Sequence, residues 1–146
     1  RRHSFPTRRS SDLVILNSRN ELLVTRRAFN PAAGTLDLPG GFVDAGETAE
    51  EGIVREVEEE TGGKAVVEKF LFSLPNEYVY SDFIVHTTDL FFLCQLLDET
   101  ALIAHDDAAA LFWIPLADIR PSNFGLASIA AGVQKLLDSN ISYTPT

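Results

Sequence analysis

The stretch GFVDAGETAEEGIVREVEEETGG, residues 41–63, decides the fold that we expect for this chain. Residues 48–61 contain no proline and a single glycine, which is typical of a helix. Thr48, followed by Glu51 at the third position beyond it, has the pattern of a capping box, so we predict that the helix begins there. Gly62 and Gly63 are expected to end it.

Three glutamates of this helix are expected to share one face. Glu56, Glu59 and Glu60 stand at positions i, i+3 and i+4, which gathers their carboxylates within about one turn. Clustered hard oxygen ligands suit Mg²⁺ or Mn²⁺, which proteins usually hold with a few carboxylates and the phosphates of a substrate. The pattern therefore predicts a divalent metal and a phosphorylated ligand. The alternative interpretation is a solvated acidic helix face.

The spacing of the stretch is more specific than its acidity. Its pattern is G-x5-E-x7-R-E-V-x-E-E-x-G, and the fixed residues are Gly41, Glu47, Arg55, Glu56, Glu59, Glu60 and Gly62. At ordinary frequencies of about 7% per residue, a chance match is on the order of 10⁻⁸ per window, which favours a functional motif. The pattern resembles the Nudix box, the signature of the Nudix hydrolases. Gly63 departs from it, because the family usually has an apolar residue there.

The resemblance implies a fold and a reaction. The fold would be α/β, the Nudix α/β/α sandwich with a central mixed β-sheet. The reaction would be the metal-dependent hydrolysis of a nucleoside diphosphate linked to another moiety, a small-molecule substrate. Glu56, Glu59, Glu60 and the Gly41 carbonyl would hold Mg²⁺ or Mn²⁺. One of these glutamates, or Asp107 in a later acidic segment, would be the catalytic base.

The resemblance also implies an architectural role for the rest of the box. Glu47 and Arg55 would form an ion pair that fixes the loop against the helix, and Gly62 would complete the box. Paired glycines at Gly40 and Gly41 let the backbone approach a ligand closely.

Two further segments are candidates for binding the substrate. In the family, the strand that ends at Arg26 and Arg27 enters the substrate cleft, and a guanidinium fork suits phosphate oxygens. The alternative is two solvated arginines at a strand end. Residues 73–81 resemble the SQPWPFPxS array of Nudix NADH pyrophosphatases, so Tyr78 or Tyr80 could stack on a base, unless they serve ordinary packing. These features favour ADP-ribose first and NADH second.

Composition limits the remaining function classes. A chain of 146 residues with 45% hydrophobic residues is about the size of one domain. Its formal charge of −9 argues against binding a nucleic-acid backbone. No apolar run approaches the length of a membrane span, which is about 18 residues. The single cysteine, Cys94, lies in an apolar run and fits a reduced, cytoplasmic setting. A homodimer remains open.

The first thirteen residues differ from the rest of the chain. They are rich in arginine and serine and lack periodicity, and HSFPTRRSSDL resembles the conceptual translation of a sequencing adapter. We therefore expect residues 1–13 to be a non-native or disordered tail ahead of a domain at 14–140. Removing residues up to Ser11 should then change the melting temperature little. The alternative is a natural basic tail for RNA or membrane.

Elsewhere the chain shows ordinary elements of an α/β fold. Apolar runs at 14–16 and 21–25 around a polar turn indicate a hairpin. Strands are expected at 65–74 and 88–97, and an amphipathic helix at 124–137 has Ile129, Val133, Leu136 and Leu137 facing inward.

The sequence leaves four functions open. The first is the hydrolase of ADP-ribose-like substrates, and the second is a (d)NTP-cleansing pyrophosphatase. The third is a non-catalytic Nudix ligand-sensing module, as in Nudix-related transcription regulators. The fourth is an isomerase on the same fold. The intact acids and the absence of a basic helix favour a hydrolase.

Overall fold

The computed structural model describes residues 7–80, 82–98 and 108–145. Within these residues it has seven strands, which are β1 (Arg8–Ile15), β2 (Glu21–Arg27), β3 (Leu36–Asp37), β4 (Gly40–Phe42), β5 (Ala65–Tyr80), β6 (Phe83–Leu96) and β7 (Ala108–Pro115). The two α-helices are α1 (Ala49–Thr61) and α2 (Ala127–Asp138). None of the helices in this part of the chain combines the length and the apolar character that a membrane span needs.

The described strands form two sheets. One is a mixed sheet in the order β4-β1-β6-β5, in which β1 is parallel to β6 and the other pairs are antiparallel. The other is antiparallel, in the order β3-β2-β7. The expected α/β fold with a central mixed sheet is confirmed.

The helices cover opposite faces of the strands, because successive strand residues point to opposite sides. Along β1, Leu13 and Ile15 pack with α1, whereas Val14 packs with α2. The core on the α1 side contains Leu13, Ile15, Leu23, Ile53, Val57, Phe92 and Cys94. The core on the α2 side contains Val14, Leu22, Val24, Phe91, Ile129, Val133 and Leu136. This alternation produces the α/β/α layering.

Helix α1 begins and ends as the sequence predicts. The Thr48 hydroxyl accepts a hydrogen bond from the Glu51 N–H at 3.0 Å, and the Glu51 carboxylate accepts one from the Thr48 N–H at 2.8 Å. Gly62 ends the helix with φ at 74°, a left-handed conformation that favours glycine. Both caps are local, so the register of the three acids is fixed from within the motif.

Other elements differ in extent from their predictions. The strands expected at 65–74 and 88–97 are parts of a longer hairpin, because polar residues between them pair across strands, for example Asn76 with Thr87. Helix α2 begins at Ala127 rather than at residue 124, and three of its predicted inward residues are buried. The first apolar runs meet only at the Leu16–Leu22 bridge, because β1 and β2 enter different sheets after the polar turn.

The expectation of a poorly packed tail is wrong for the residues from Arg8 to Leu13. These residues belong to β1, which lies between β4 and β6 and is buried from Ser10 onward. The physical reason is that every residue of a strand offers the same backbone donor and acceptor. A polar sequence can therefore form the backbone hydrogen bonds that join two neighbouring strands. The domain therefore begins before residue 14.

Strand β1 nevertheless buries polar groups that lack partners. Ser11 Oγ and Asp12 Oδ2 have no hydrogen-bond partner among the residues that the structure describes. Burial raises the pKa of the Asp12 carboxyl well above its usual range, and the nearby Asp89, Asp37 and Glu60 add to the rise. Each such buried group costs stability.

We predict that deleting residues 1–11 lowers the melting temperature by far more than the roughly 4 °C that 1 kcal/mol represents in a chain of this size, because it removes the half of β1 that supplies most of the pairing with β4 and part of the pairing with β6. Thermal melting monitored by circular dichroism measures this. An unchanged melting temperature would show that β1 is dispensable.

We also predict that Asp12→Val stabilises the protein by about 1 to 3 kcal/mol, because it removes a buried carboxyl that lacks a full set of partners. The measurement is the free energy of unfolding in urea. Asp118→Val, which makes the same replacement at an exposed position, should have little effect and serves as the control.

Candidate active site

The acidic face of α1 opens onto a cleft of about 580 Å³. The end of β2 and the loop after it form one wall, and β4 and α1 form the other. The lining includes Thr25, Arg26, Arg27, Phe29, Asp37, Leu38, Gly40, Gly41, Phe42, Asp44, Glu56, Glu59 and Glu60. A larger groove of about 840 Å³ lies between α1 and β5, but none of the three box acids lines it. The chemistry of the lining therefore identifies the smaller cleft as the candidate site.

Glu56 and Glu60 form a close pair of carboxyl groups at the wall of the cleft. They hydrogen-bond to each other, and Glu60 also accepts a hydrogen bond from the Gly40 N–H at 3.4 Å. Burial raises the pKa of Glu60 to about 8, and the neighbouring Glu56 adds to the rise. Burial also raises the pKa of Glu56, against the opposing effect of Arg55. At neutral pH the pair therefore holds a proton that a cation could replace.

The Glu56 carboxylate lies against the Gly41 backbone, so a larger residue at this position would displace it. A Cβ at this position would lie 2.5 Å from Glu56 Oε1, which is closer than a side chain can approach. Gly41 is held in β4 opposite Ser11 of β1. The glycine therefore lets the backbone and the carboxylate meet at one point.

Arg55 joins the loop before α1 to the acidic face of the helix. It donates to both carboxylate oxygens of Glu47, from Nη2 at 2.7 Å and from Nε at 3.1 Å, which is the predicted ion pair. Its Nη1 donates to Glu56 at 2.9 Å and lies 3.3 Å from the half-exposed Glu59. These bonds raise the pKa of Arg55 and lower that of Glu47. Arg55 therefore orients Glu56 while staying charged.

The donor set fits a hard divalent cation, although it is not arranged as a finished metal cage. In the ranges that the structure describes, no group of three or more acidic, histidine or cysteine side chains is placed to hold a metal as it stands. The oxygens of these acids already have partners, because Arg55 binds Glu56 and Glu59, and the Glu60 carboxyl is hydrogen-bonded to Glu56. Carboxylate oxygens beside a glycine backbone are the ligands that Mg²⁺ and Mn²⁺ prefer. Binding would require these side chains to rearrange and release a proton.

The two predicted phosphate-binding arginines line the cleft but are not equivalent. Arg27 is partly buried, with Nη1 2.7 Å from Asp37 Oδ2 and Nε donating to the Pro31 carbonyl at 2.7 Å. Arg26 is exposed and donates to the Gly34 carbonyl at 2.8 Å, and it forms no ion pair among the described residues. Arg27 therefore supports the loop, whereas Arg26 retains a charge that is not neutralised by a carboxylate.

The structure does not place Tyr78 in the cleft. Its partly buried ring packs against the core on the α2 side, and burial raises the pKa of its hydroxyl. Tyr78 is not among the residues that line the cleft, and stacking by its ring stays a prediction from the sequence. The Tyr80 side chain and Asp107 lie outside the described residues.

Asp37 and Phe29 are among the cleft residues that sequence reasoning missed. Asp37 lies between the buried Leu36 and Leu38, so strand alternation could have placed its side chain on the opposite side. Despite its bond to Arg27, burial raises the pKa of Asp37. For Phe29 the signal was a large apolar residue in a polar loop, two positions after Arg27.

Comparisons with known proteins agree with this geometry. A family model described as the NUDIX domain matches residues 6–133. An ADP-ribose pyrophosphatase of Methanocaldococcus jannaschii is 52% identical over 48 residues, covering 33% of this chain and 28% of that protein. Nudix hydrolase 6 of Arabidopsis thaliana is 38% identical over 109 residues, covering 71% of this chain and 38% of that protein. An 8-oxo-dGTP diphosphatase of Escherichia coli is 37% identical over 71 residues, covering 45% of this chain and 55% of that protein. The matched region thus spans about a quarter to about a half of these relatives.

Solved structures show the same fold. A NUDIX hydrolase from Nitrosomonas europaea has a TM-score of 0.75 at 18% identity, covering 94% of this chain and 73% of that one. The NUDIX domain of Shewanella oneidensis NrtR, complexed with ADP ribose, has a TM-score of 0.72 at 19% identity, covering 94% of this chain and 91% of that one.

We predict that the metal-free protein becomes less stable as the pH rises toward 8. The pKa of Glu60 is about 8 in the folded chain and 4.5 without its surroundings, so its contribution is complete below about pH 4.5 and is lost as the pH passes through about 8. Melting temperatures in EDTA at about pH 6 and about pH 9 measure the loss. Glu60→Gln should reduce the slope, and the exposed Glu58→Gln should keep it. Equal slopes in all three proteins would contradict the assignment.

Proposed function

The chain belongs to the Nudix family, and we propose that it is a pyrophosphohydrolase that uses Mg²⁺ or Mn²⁺ to cleave a nucleoside diphosphate linked to another moiety. The observation that carries the proposal is the convergence of Glu56, Glu60 and the Gly41 backbone on one wall of the cleft. The family match and the relatives named as pyrophosphatases and diphosphatases support it. A cytoplasmic location and a homodimer remain predictions from the sequence.

In the proposed reaction, water attacks one phosphorus of the diphosphate and the bond from that phosphorus to the bridging oxygen breaks. The products are a nucleoside monophosphate and a phosphorylated remainder. Glu56, Glu59, Glu60 and the Gly41 carbonyl would hold the metal, which when bound would neutralise charge on the diphosphate and lower the pKa of water.

The chain's own residues would orient the reactants and move the proton. Arg26 would contact the diphosphate, and Arg55 would keep Glu56 in place. A carboxyl group of the Glu56–Glu60 pair would accept the proton of the attacking water, because both groups line the cleft. Asp107 remains the alternative base from the sequence.

We infer that the substrate is of the ADP-ribose type, with NADH second. The M. jannaschii relative, named an ADP-ribose pyrophosphatase, has the highest local identity of the relatives described above. The cleft offers a diphosphate contact at Arg26 and an aromatic ring, which are sufficient for a dinucleotide-like molecule. The similarity to an 8-oxo-dGTP diphosphatase supports nucleotide cleansing as the second candidate. The NrtR domain supports a ligand-sensing role as the third.

We predict that chelation by EDTA abolishes hydrolysis and that Mg²⁺ or Mn²⁺ restores it. Glu59→Gln and Glu60→Gln should each lower kcat on the order of 100-fold with the fold retained, because each removes a metal ligand. Glu58→Gln, an exposed change on the same helix that does not reach the cleft, is the matched control. Undiminished turnover in excess EDTA would contradict the mechanism.

We also predict that ADP-ribose has a higher kcat/KM than NADH, diadenosine polyphosphates or oxidised dNTPs when all are assayed side by side. The physical reason is that the described cleft offers a phosphate contact and an aromatic ring but no set of groups that would read the edge of a damaged base. If 8-oxo-dGTP were hydrolysed about tenfold more efficiently than ADP-ribose, the substrate assignment would be wrong while the reaction class would stand.

A further inference from the structure

Phe29 is a large apolar side chain that the described part of the fold leaves outside its core. Its ring is 63% exposed, and it belongs to neither core cluster. Burying a phenyl ring normally stabilises a protein, and here most of that contribution is forgone. The ring lines the same cleft as the acids of α1.

The loop that carries Phe29 is held in place before any ligand binds. The Arg27 side chain donates from Nε to the Pro31 carbonyl at 2.7 Å, and the Arg27 backbone carbonyl accepts a hydrogen bond from the Gly34 N–H at 2.8 Å. Arg26 bonds the Gly34 carbonyl at 2.8 Å, and Ala33 N–H donates to Asn30 Oδ1 at 3.3 Å. A ring on a fixed loop loses little conformational entropy when a ligand covers it.

The other apolar groups of the cleft are already occupied. The face of Phe42 is covered by the Arg8 guanidinium, 3.7 Å from the ring centroid. Leu38 is only 3% exposed. Among the described residues that line the cleft, Phe29 is thus the aromatic side chain with an open face.

We propose that Phe29 is the platform on which the nucleobase of the substrate stacks, which makes it a specificity-determining residue. This inference rests on the proposed function. Arg26 precedes Phe29 by three residues and lines the same cleft, so one segment supplies both a phosphate contact and a ring. The diphosphate lies between the acids of α1 and Arg26, and the base covers Phe29.

Stacking on one face limits how well the enzyme can distinguish one nucleobase from another. A ring reads the face that all bases share, not the hydrogen-bonding edge that distinguishes them. The enzyme should therefore require a planar base but tolerate its identity, so that ADP-ribose and GDP-linked sugars differ by less than about tenfold in kcat/KM.

The kinetic test compares Phe29→Ala, Phe29→Leu and Phe29→Trp with the wild type. Phe29→Ala and Phe29→Leu should raise KM for ADP-ribose about tenfold with kcat nearly unchanged, because stacking is uniform binding. Phe29→Trp should restore KM. The inhibition constant of the base-bearing product AMP should rise in Phe29→Ala, whereas that of the base-free ribose 5-phosphate should not. Phe83→Ala, which removes a 51% exposed ring outside the cleft, is the matched control.

A binding measurement separates this inference from the proposed function. AMP is titrated with Mg²⁺ into the wild type and Phe29→Ala by calorimetry, and into Phe29→Trp with detection of quenched tryptophan fluorescence. About tenfold weaker binding to Phe29→Ala supports stacking, even if the wild type hydrolyses nothing. Equal AMP affinity and equal KM in the wild type and Phe29→Ala, with normal turnover, would overturn stacking and leave the hydrolase intact.

Discussion

The guanidinium of Arg55 is the link on which the geometry of the cleft depends. It binds both oxygens of Glu47 and one oxygen of Glu56, so a single side chain ties the loop before α1 to the acidic face of the helix. A bidentate pair fixes orientation as well as distance. Because the Glu56 carboxylate is held in this way, it can lie against Gly41, where a Cβ would collide with it.

The second support of the cleft comes from the mixed sheet. Strand β1 pairs with β4, which carries Gly40 and Gly41, and on its other side with β6 in the centre of the domain. The glycines therefore reach the carboxylates of α1 only if β1 is in place. Because β1 buries Ser11 and Asp12 with unpartnered polar atoms, the cleft rests on a strand whose side chains are poorly matched to their surroundings.

The features that depend on residues close together in the sequence could be predicted, and those that depend on distant residues could not. The helix, its Thr48 cap, its Gly62 end and the shared face of the acids depend on residues within a few positions, and all are present. The Arg27–Asp37 bond joins two different strands and had no local signal. The place of β1 was missed because backbone pairing does not depend on side-chain pattern. Whether Tyr78 reaches the cleft had no local signal either, because the sheet order decides which strand borders it.

The most direct test of this account is a calorimetric titration of Mn²⁺ into the protein near pH 7, in buffers of different ionisation enthalpy, which counts the protons released. With the pKa of Glu60 at about 8, binding of the metal to the Glu56–Glu60 pair should release about one proton. Glu60→Gln should bind Mn²⁺ at least about tenfold more weakly and release no proton, whereas Glu58→Gln should match the wild type. Equal affinity and equal proton release in all three proteins would contradict the placement of the metal at these carboxylates.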